Sequence, residues 1–194
     1  MKLARLLSGD AYKGEKHYLR NQRNYELAKT IIMFVIAIGL FVAGLIINKG
    51  NKANIFTIVA VLGCLPACKC LVELIMFIRY KTCNDELADK IENSSDGLIQ
   101  AYDRVFTSKE KTQAIDHLVV NNNSLCCYTS AKKFSESDFQ KHIAVYLKAE
   151  NIKDTTIKVF TEEKKYLERI SNMSPDNNTE KDKEILNVLL NISL

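Results

Sequence analysis

The chain has 194 residues, 47% of them hydrophobic, six cysteines and a formal net charge of +4. That size admits one modest domain plus appendages rather than several domains. The charge is unevenly spread: residues 1–29 carry +4, residues 30–83 carry +4 and residues 84–194 carry −4. The acidic C-terminal part therefore lacks the basic footprint that phosphate binding needs. Cysteines without any Cys-x-x-Cys pair exclude a redox or zinc motif of that spacing, and their placement does not support a disulfide framework.

Residues 1–29 read as a basic N-terminal segment, partly helical. Met1 to Leu7 suits a short amphipathic turn at a lipid interface, and His17 to Ala28 is helix-compatible. The next stretch, Thr30 to Ile47, has eighteen residues and no charge. A bilayer core takes about 20 apolar helical residues, so this run reads as a span rather than as a cleaved signal core. Asn48 to Lys52 is a short turn. A second apolar run follows from Ala53 to Ile78. The spacing predicts a two-helix transmembrane hairpin over residues 30–80, with helices at about 30–48 and 53–78. Lys/Arg gather before the first run and after the second, at Arg79 and Lys81. By the positive-inside rule both termini are cytoplasmic, in a multi-pass cell-membrane protein.

Five residues join the runs, so the helices must be antiparallel neighbours. Small residues four apart suggest where they touch: Gly39 and Ala43 on the first helix, and Ala60 with Cys64 and Gly63 with Ala67 on the second. Cys64 and Cys68 read as small packing residues. Lys69 and Glu73 fall at the cytoplasmic boundary, one helical turn apart, where they can pair and snorkel. Pro66 is expected to kink the second helix.

Residues 84–194 read as a cytoplasmic α/β (α+β) domain of order αβββαβα with a C-terminal helix. Asn84 caps a helix to Glu92, and Asn93 to Gly97 breaks it. Strands are expected over 98–107, 113–120 and 125–129, the last two joined by Asn121 to Ser124. Phe139, Ile143 and Leu147 make the buried stripe of a helix over 135–150. A strand over 155–161, a helix over 162–170, a linker at 174–178 and a helix over 180–194 complete the domain. Cys126 and Cys127, adjacent in a strand, must point to opposite faces.

The segment Ala114-Ile-Asp-His-Leu-Val-Val120, with this element order, resembles the nuclease-related domain of the restriction-endonuclease-like superfamily over residues 84–161. The resemblance implies that Asp116 is the metal-binding aspartate of the second strand. It also implies a Glu-x-Lys on the third strand, where this chain has Thr129 and Ala131. A divalent ion wants several oxygen ligands, and phosphate chemistry wants a fixed cation. Lys132 and Lys133 lie just beyond, with no glutamate beside them. The resemblance thus implies the fold without the catalytic pair. Read without it, Asp116 and His117 form a polar pair at a strand edge or facing a turn.

These features point to a membrane-anchored cytoplasmic interaction or scaffold domain that is not an enzyme. Its expected partners are the lipid bilayer and a protein, either another chain or a second copy, and not nucleic acid. No cofactor is expected, save a divalent metal at Asp116 if a nuclease-like activity survives. A tethered nuclease-like or nucleic-acid-binding domain and an accessory subunit of a transporter or channel are the alternatives.

Overall fold

A computed structural model describes residues 13–49, 55–108, 111–131, 133–177 and 179–194, with only the backbone of Asp176. The expected interfacial turn at Met1 to Leu7, most of the inter-helix turn and Lys132 lie outside these residues. The described residues divide into two units, residues 19–81 and residues 13–18 with 82–194.

The first unit holds two helices, α1 (Tyr18–Ile47) and α2 (Ile55–Ile78), with Pro66 inside the latter. Both are long and apolar enough to cross a membrane. Burial repeats every seven residues on each: Thr30, Ala37 and Gly44 on α1, and Ala60, Ala67 and Leu74 on α2. Half-buried Met33, Leu40, Gly63 and Phe77, with buried Glu26 and Cys70, complete a spacing of three and four. That is the seam of a coiled coil, here between antiparallel helices. A Cβ added to Gly63 would lie 3.8 Å from the Ala37 Cβ, which fixes the register. The expected contact residues Ala60, Gly63 and Ala67 are on this seam. Gly39, Ala43 and Cys64 are not: all three face outward, and a Cβ on Gly39 would meet nothing within 4 Å. The seven-residue repeat selects Ala37 and Gly44 instead.

The second unit is a four-stranded sheet of order β1-β2-β3-β4: β1 (Ile99–Thr107), β2 (Thr112–Asn121), β3 (Ser124–Tyr128) and β4 (Thr156–Phe160). The first three strands are antiparallel, and β4 is parallel to β3. Around them lie α3 (Asp85–Ser94), α4 (Glu136–Ala149), α5 (Glu163–Ser171) and α6 (Glu180–Ile192). One face buries Leu118, Val120, Leu125 and Cys127 against Phe139, Ile143 and Leu147 of α4 and Ile185 and Leu189 of α6. The other buries Val119, Cys126 and Tyr128 against Leu87 and Ile91 of α3 and Tyr166 and Ile170 of α5. Cys126 and Cys127 thus enter different cores, as strand alternation requires.

Asn122 and Asn123 join β2 to β3 with φ of 48° and 57°, the conformation of a two-residue type I′ hairpin that suits asparagine. The outer edge of β1 is covered. Tyr102 N donates to Gly14 O at 2.9 Å, and Leu194 N donates to Val105 O at 3.0 Å. Gly14 has φ of +95° and a Cβ there would stand 2.9 Å from that of Ala101, so only glycine fits. Covering an edge in this way keeps it from pairing with another chain.

Candidate functional site

The centre of the sheet is where the sequence pattern and the strand geometry disagree. Tyr102 pairs with His117 and Arg104 with Ile115, while Asp103 and Asp116 between them make no ladder pair. Asp103 has φ of +54°. Ala101 and Phe106 share one core although they are an odd number of residues apart, and so do Ile115 and Leu118. Regular alternation forbids both. Each strand therefore carries one extra residue at the same level, Asp103 opposite Asp116, and the register resumes unchanged beyond them. Bulged residues of this kind re-aim side chains and cluster near sites.

The polar pair expected at a strand edge or turn is instead buried in β2, an inner strand. Asp116 is 7% exposed and His117 is fully buried. Asp116 Oδ2 accepts a hydrogen bond from Ser130 N at 2.6 Å. Burial raises its carboxyl above the ordinary carboxylate value, opposed by that bond. Asp103 Oδ1 accepts from Cys83 N at 2.8 Å. The Cys83 thiol is pushed up to about 12 by burial and then by the negative fields of Asp116, Asp103 and Asp85. At that value the thiol is protonated near neutral pH, and it packs in the core beside Leu87 and Ile91.

His117 has both ring nitrogens engaged. Nδ1 lies 2.6 Å from Tyr166 Oη and Nε2 lies 3.0 Å from Gln100 Oε1. The Tyr102 ring covers it at 4.3 Å between centroids. Burial pushes its pKa down to about 3, so the ring is neutral. The imidazole is thus fully enclosed, with both nitrogens held by protein groups.

Just beyond β3, the two positions that the nuclease resemblance assigns to Glu and Lys carry other roles. Thr129 Oγ1 donates to Ala114 O at 2.8 Å and accepts from Ala131 N at 3.2 Å. The first bond ties the end of β3 to β2, and the second holds the turn that follows. Lys133 is exposed. Among the described residues no three His, Cys, Asp or Glu side chains come together as a metal-binding group.

Arg104 was not foreseen in the sequence. It is fully buried, with its guanidinium carbon 4.4 Å from the Tyr18 ring centroid. Nε donates to Tyr102 O at 3.0 Å, and neither Nη has a hydrogen-bond partner among the described residues. The only signal was the Asp103-Arg104 pair in the middle of β1, flanked by Ala101, Tyr102, Val105 and Phe106. Segment 13–18 reaches the same neighbourhood: Lys16 pairs with Asp89 and Glu92 of α3 at 2.6 and 2.7 Å.

In the hairpin, Lys69 and Glu73 approach at 3.9 Å, but Glu73 has a nearer partner in Lys29 at 2.9 Å. Lys29 also contacts Glu26 at 3.1 Å. This charged group crosses between the helices. Lys29 and Glu73 are 44 positions apart, a contact no local pattern reveals.

No family model, curated protein or solved structure matches this chain.

Proposed function

We propose that this protein is a membrane-anchored cytoplasmic interaction module without catalytic activity. The α1–α2 hairpin crosses the cell membrane with both termini cytoplasmic, and the α/β unit serves as a scaffold at the inner face. One observation supports the anchor most directly. Among the described residues, the only large hydrophobic side chains exposed outside the two helices are Val145 and Tyr146. Apolar surface on that scale, confined to one helical pair, needs a lipid or protein cover. The non-catalytic reading is supported by what the site side chains already bind: Asp116, His117 and Thr129 are engaged in internal hydrogen bonds. In this reading the nuclease-like strand order survives as a scaffold, and Asp116 fixes the end of β3.

Alkaline carbonate extraction of membranes from cells making the full chain tests the anchor, and the expected result is retention in the pellet. Release to the supernatant would overturn it. Labelling of Lys49→Cys by an impermeant maleimide in intact cells is expected if the turn is outside. Plasmid nicking with magnesium or manganese, abolished by Asp116→Ala, would overturn the non-catalytic reading.

A further inference from the structure

The two helices of the hairpin do not turn from apolar to polar at the same level. Gly63 stands against Ala37, and Lys29 Nζ reaches Glu73 at 2.9 Å. In an antiparallel pair of that register, residues 71–78 of α2 lie beside residues 22–29 of α1. The α1 stretch presents Gln22, Arg23, Asn24, Glu26 and Lys29, whereas the α2 stretch reads LVELIMFI. Val72, Ile75 and Ile78 are 58%, 57% and 53% exposed. Hydrocarbon does not surround a level at which the adjoining helix offers Arg, Asn and Gln. Water is no better a neighbour for a contiguous apolar strip.

The strip continues a seam up the helix. Val61, Cys64, Cys68, Leu71, Ile75 and Ile78 follow at steps of three and four, and all six are exposed. This second seam lies one residue round from the seam that packs on α1. Val61 and Ile75 take the position that favours β-branched side chains in two-stranded parallel coils, and Leu71 takes the position that favours leucine. The two cysteines near its middle let helices approach closely in lipid. Lys69 and Glu73 fall off the seam.

We propose that α2 of a second copy covers this face, forming a parallel α2–α2 pair that extends from the membrane into the cytoplasm. The proposal rests on the membrane-anchored reading. A second copy in the same bilayer brings an identical face at an identical depth, so each layer of the seam meets its own counterpart about a two-fold axis. The pairing makes the anchored scaffold bivalent.

The test uses the full chain reconstituted in nanodiscs and its native thiols. Mild oxidation with copper phenanthroline is expected to give a covalent dimer, reduced at least tenfold in Cys64→Ser/Cys68→Ser. Mass photometry is expected to count two chains per disc. Ile75→Glu/Ile78→Glu is expected to lower the dimer fraction at least fivefold. Met76→Glu, at the same level but off the seam, is expected to leave it in place. One chain per disc for the unaltered protein would overturn the proposal. So would a dimer that survives Ile75→Glu/Ile78→Glu, or one that Met76→Glu disrupts equally. An adduct in native membranes with a different protein in place of the dimer would also overturn it. Carbonate release, measured on the same membranes before reconstitution, would sink the anchored reading separately.

Discussion

Asp103 and Asp116 stand opposite each other where the β1–β2 ladder is interrupted, and their carboxylates hold different segments of the chain. Asp103 Oδ1 receives the N–H of Cys83, which follows α2, and Asp116 Oδ2 receives the N–H of Ser130, which follows β3. Two acidic residues in the middle of two strands are thus explained by backbone N–H groups that have no ladder partner. Buried donors must be satisfied somewhere, and a carboxylate does so strongly.

Replacing Asp103 tests this. Asp103→Ala removes a charge-assisted bond to a buried N–H and leaves a Cβ residue at φ of +54°. The expected loss is about 2–3 kcal/mol. Asp103→Asn keeps an acceptor and tolerates the left-handed region, so it should be the mildest change. Asp103→Gly relieves the backbone but not the donor and should fall between them. Thermal melting of the full chain in detergent gives the order. An alanine variant as stable as the asparagine variant would mean the carbonyl-like acceptor is not what holds Cys83.

The neighbours Asp116 and His117 should pull the pH dependence of stability in opposite directions. His117 has a folded pKa of about 3, below the unfolded value of about 6.5. Its contribution is complete above pH ~6.5 and is lost as pH falls, because only the unfolded state takes up the proton. The slope is about 1.4 kcal/mol per pH unit across that window. Asp116 has a folded pKa above the unfolded value of about 3.9. The native state keeps its proton longer, so stability is lost as pH rises through the folded pKa. His117→Gln should flatten the acid limb between pH 6 and 4.5, measured by denaturant unfolding. Asp116→Asn should gain on the unaltered protein as pH rises from about 4. An acid limb equally steep in His117→Gln would show that His117 titrates outside the fold's control.

Asp182 holds the tip of the β2–β3 hairpin. It is fully buried at the start of α6, and its oxygens accept from Asn122 N, Asn123 N and Thr179 N at 3.0, 2.7 and 2.8 Å. Thr179 closes the capping box by accepting from Asp182 N at 3.2 Å. Asp182→Ala leaves three donors without their acceptor and should cost about 3 kcal/mol or more. Thr179→Ala removes one bond and should cost about 1 kcal/mol. Hydrogen exchange at Asn122 and Asn123 checks the mechanism: both amides should lose protection in Asp182→Ala and keep it in Thr179→Ala.

The order of elements was legible because each carries its own period. Phe139, Ile143 and Leu147 mark α4, Leu118 to Val120 and Leu125 mark paired strands, and two uncharged runs mark α1 and α2. The interruption at Asp103 was not legible, since a single αL residue in a strand leaves no period behind. Burial of His117 was missed for a related reason. A polar side chain looks exposed until its partners Tyr166 and Gln100 are known, and Tyr166 lies 49 positions away. Thr129 could be read as the absence of a glutamate but not as a bond to Ala114.

Small residues four apart picked Gly39 with Ala43 and Gly63 with Ala67, and the structure packs only the second pair. The seven-residue repeat of burial separates them, because Gly63 and Ala67 fall on it and Gly39 and Ala43 do not. Ala67 is fully buried, while Gly39 faces out with open space at its Cβ position. A leucine at Gly39 has room and raises helix propensity. A leucine at Ala67 or Gly63 must push α1 away, because overpacking a closed seam costs about 1–3 kcal/mol. Gly39→Leu should therefore melt at or above the unaltered protein in detergent, and Ala67→Leu several degrees below. The Lys29–Glu73 contact provides an independent gauge of the same seam. Its charge-reversed pair, Lys29→Glu with Glu73→Lys, should recover stability lost by either single change. Equal melting of the Gly39 and Ala67 variants would mean that Gly39 packs against a helix as closely as Ala67 does.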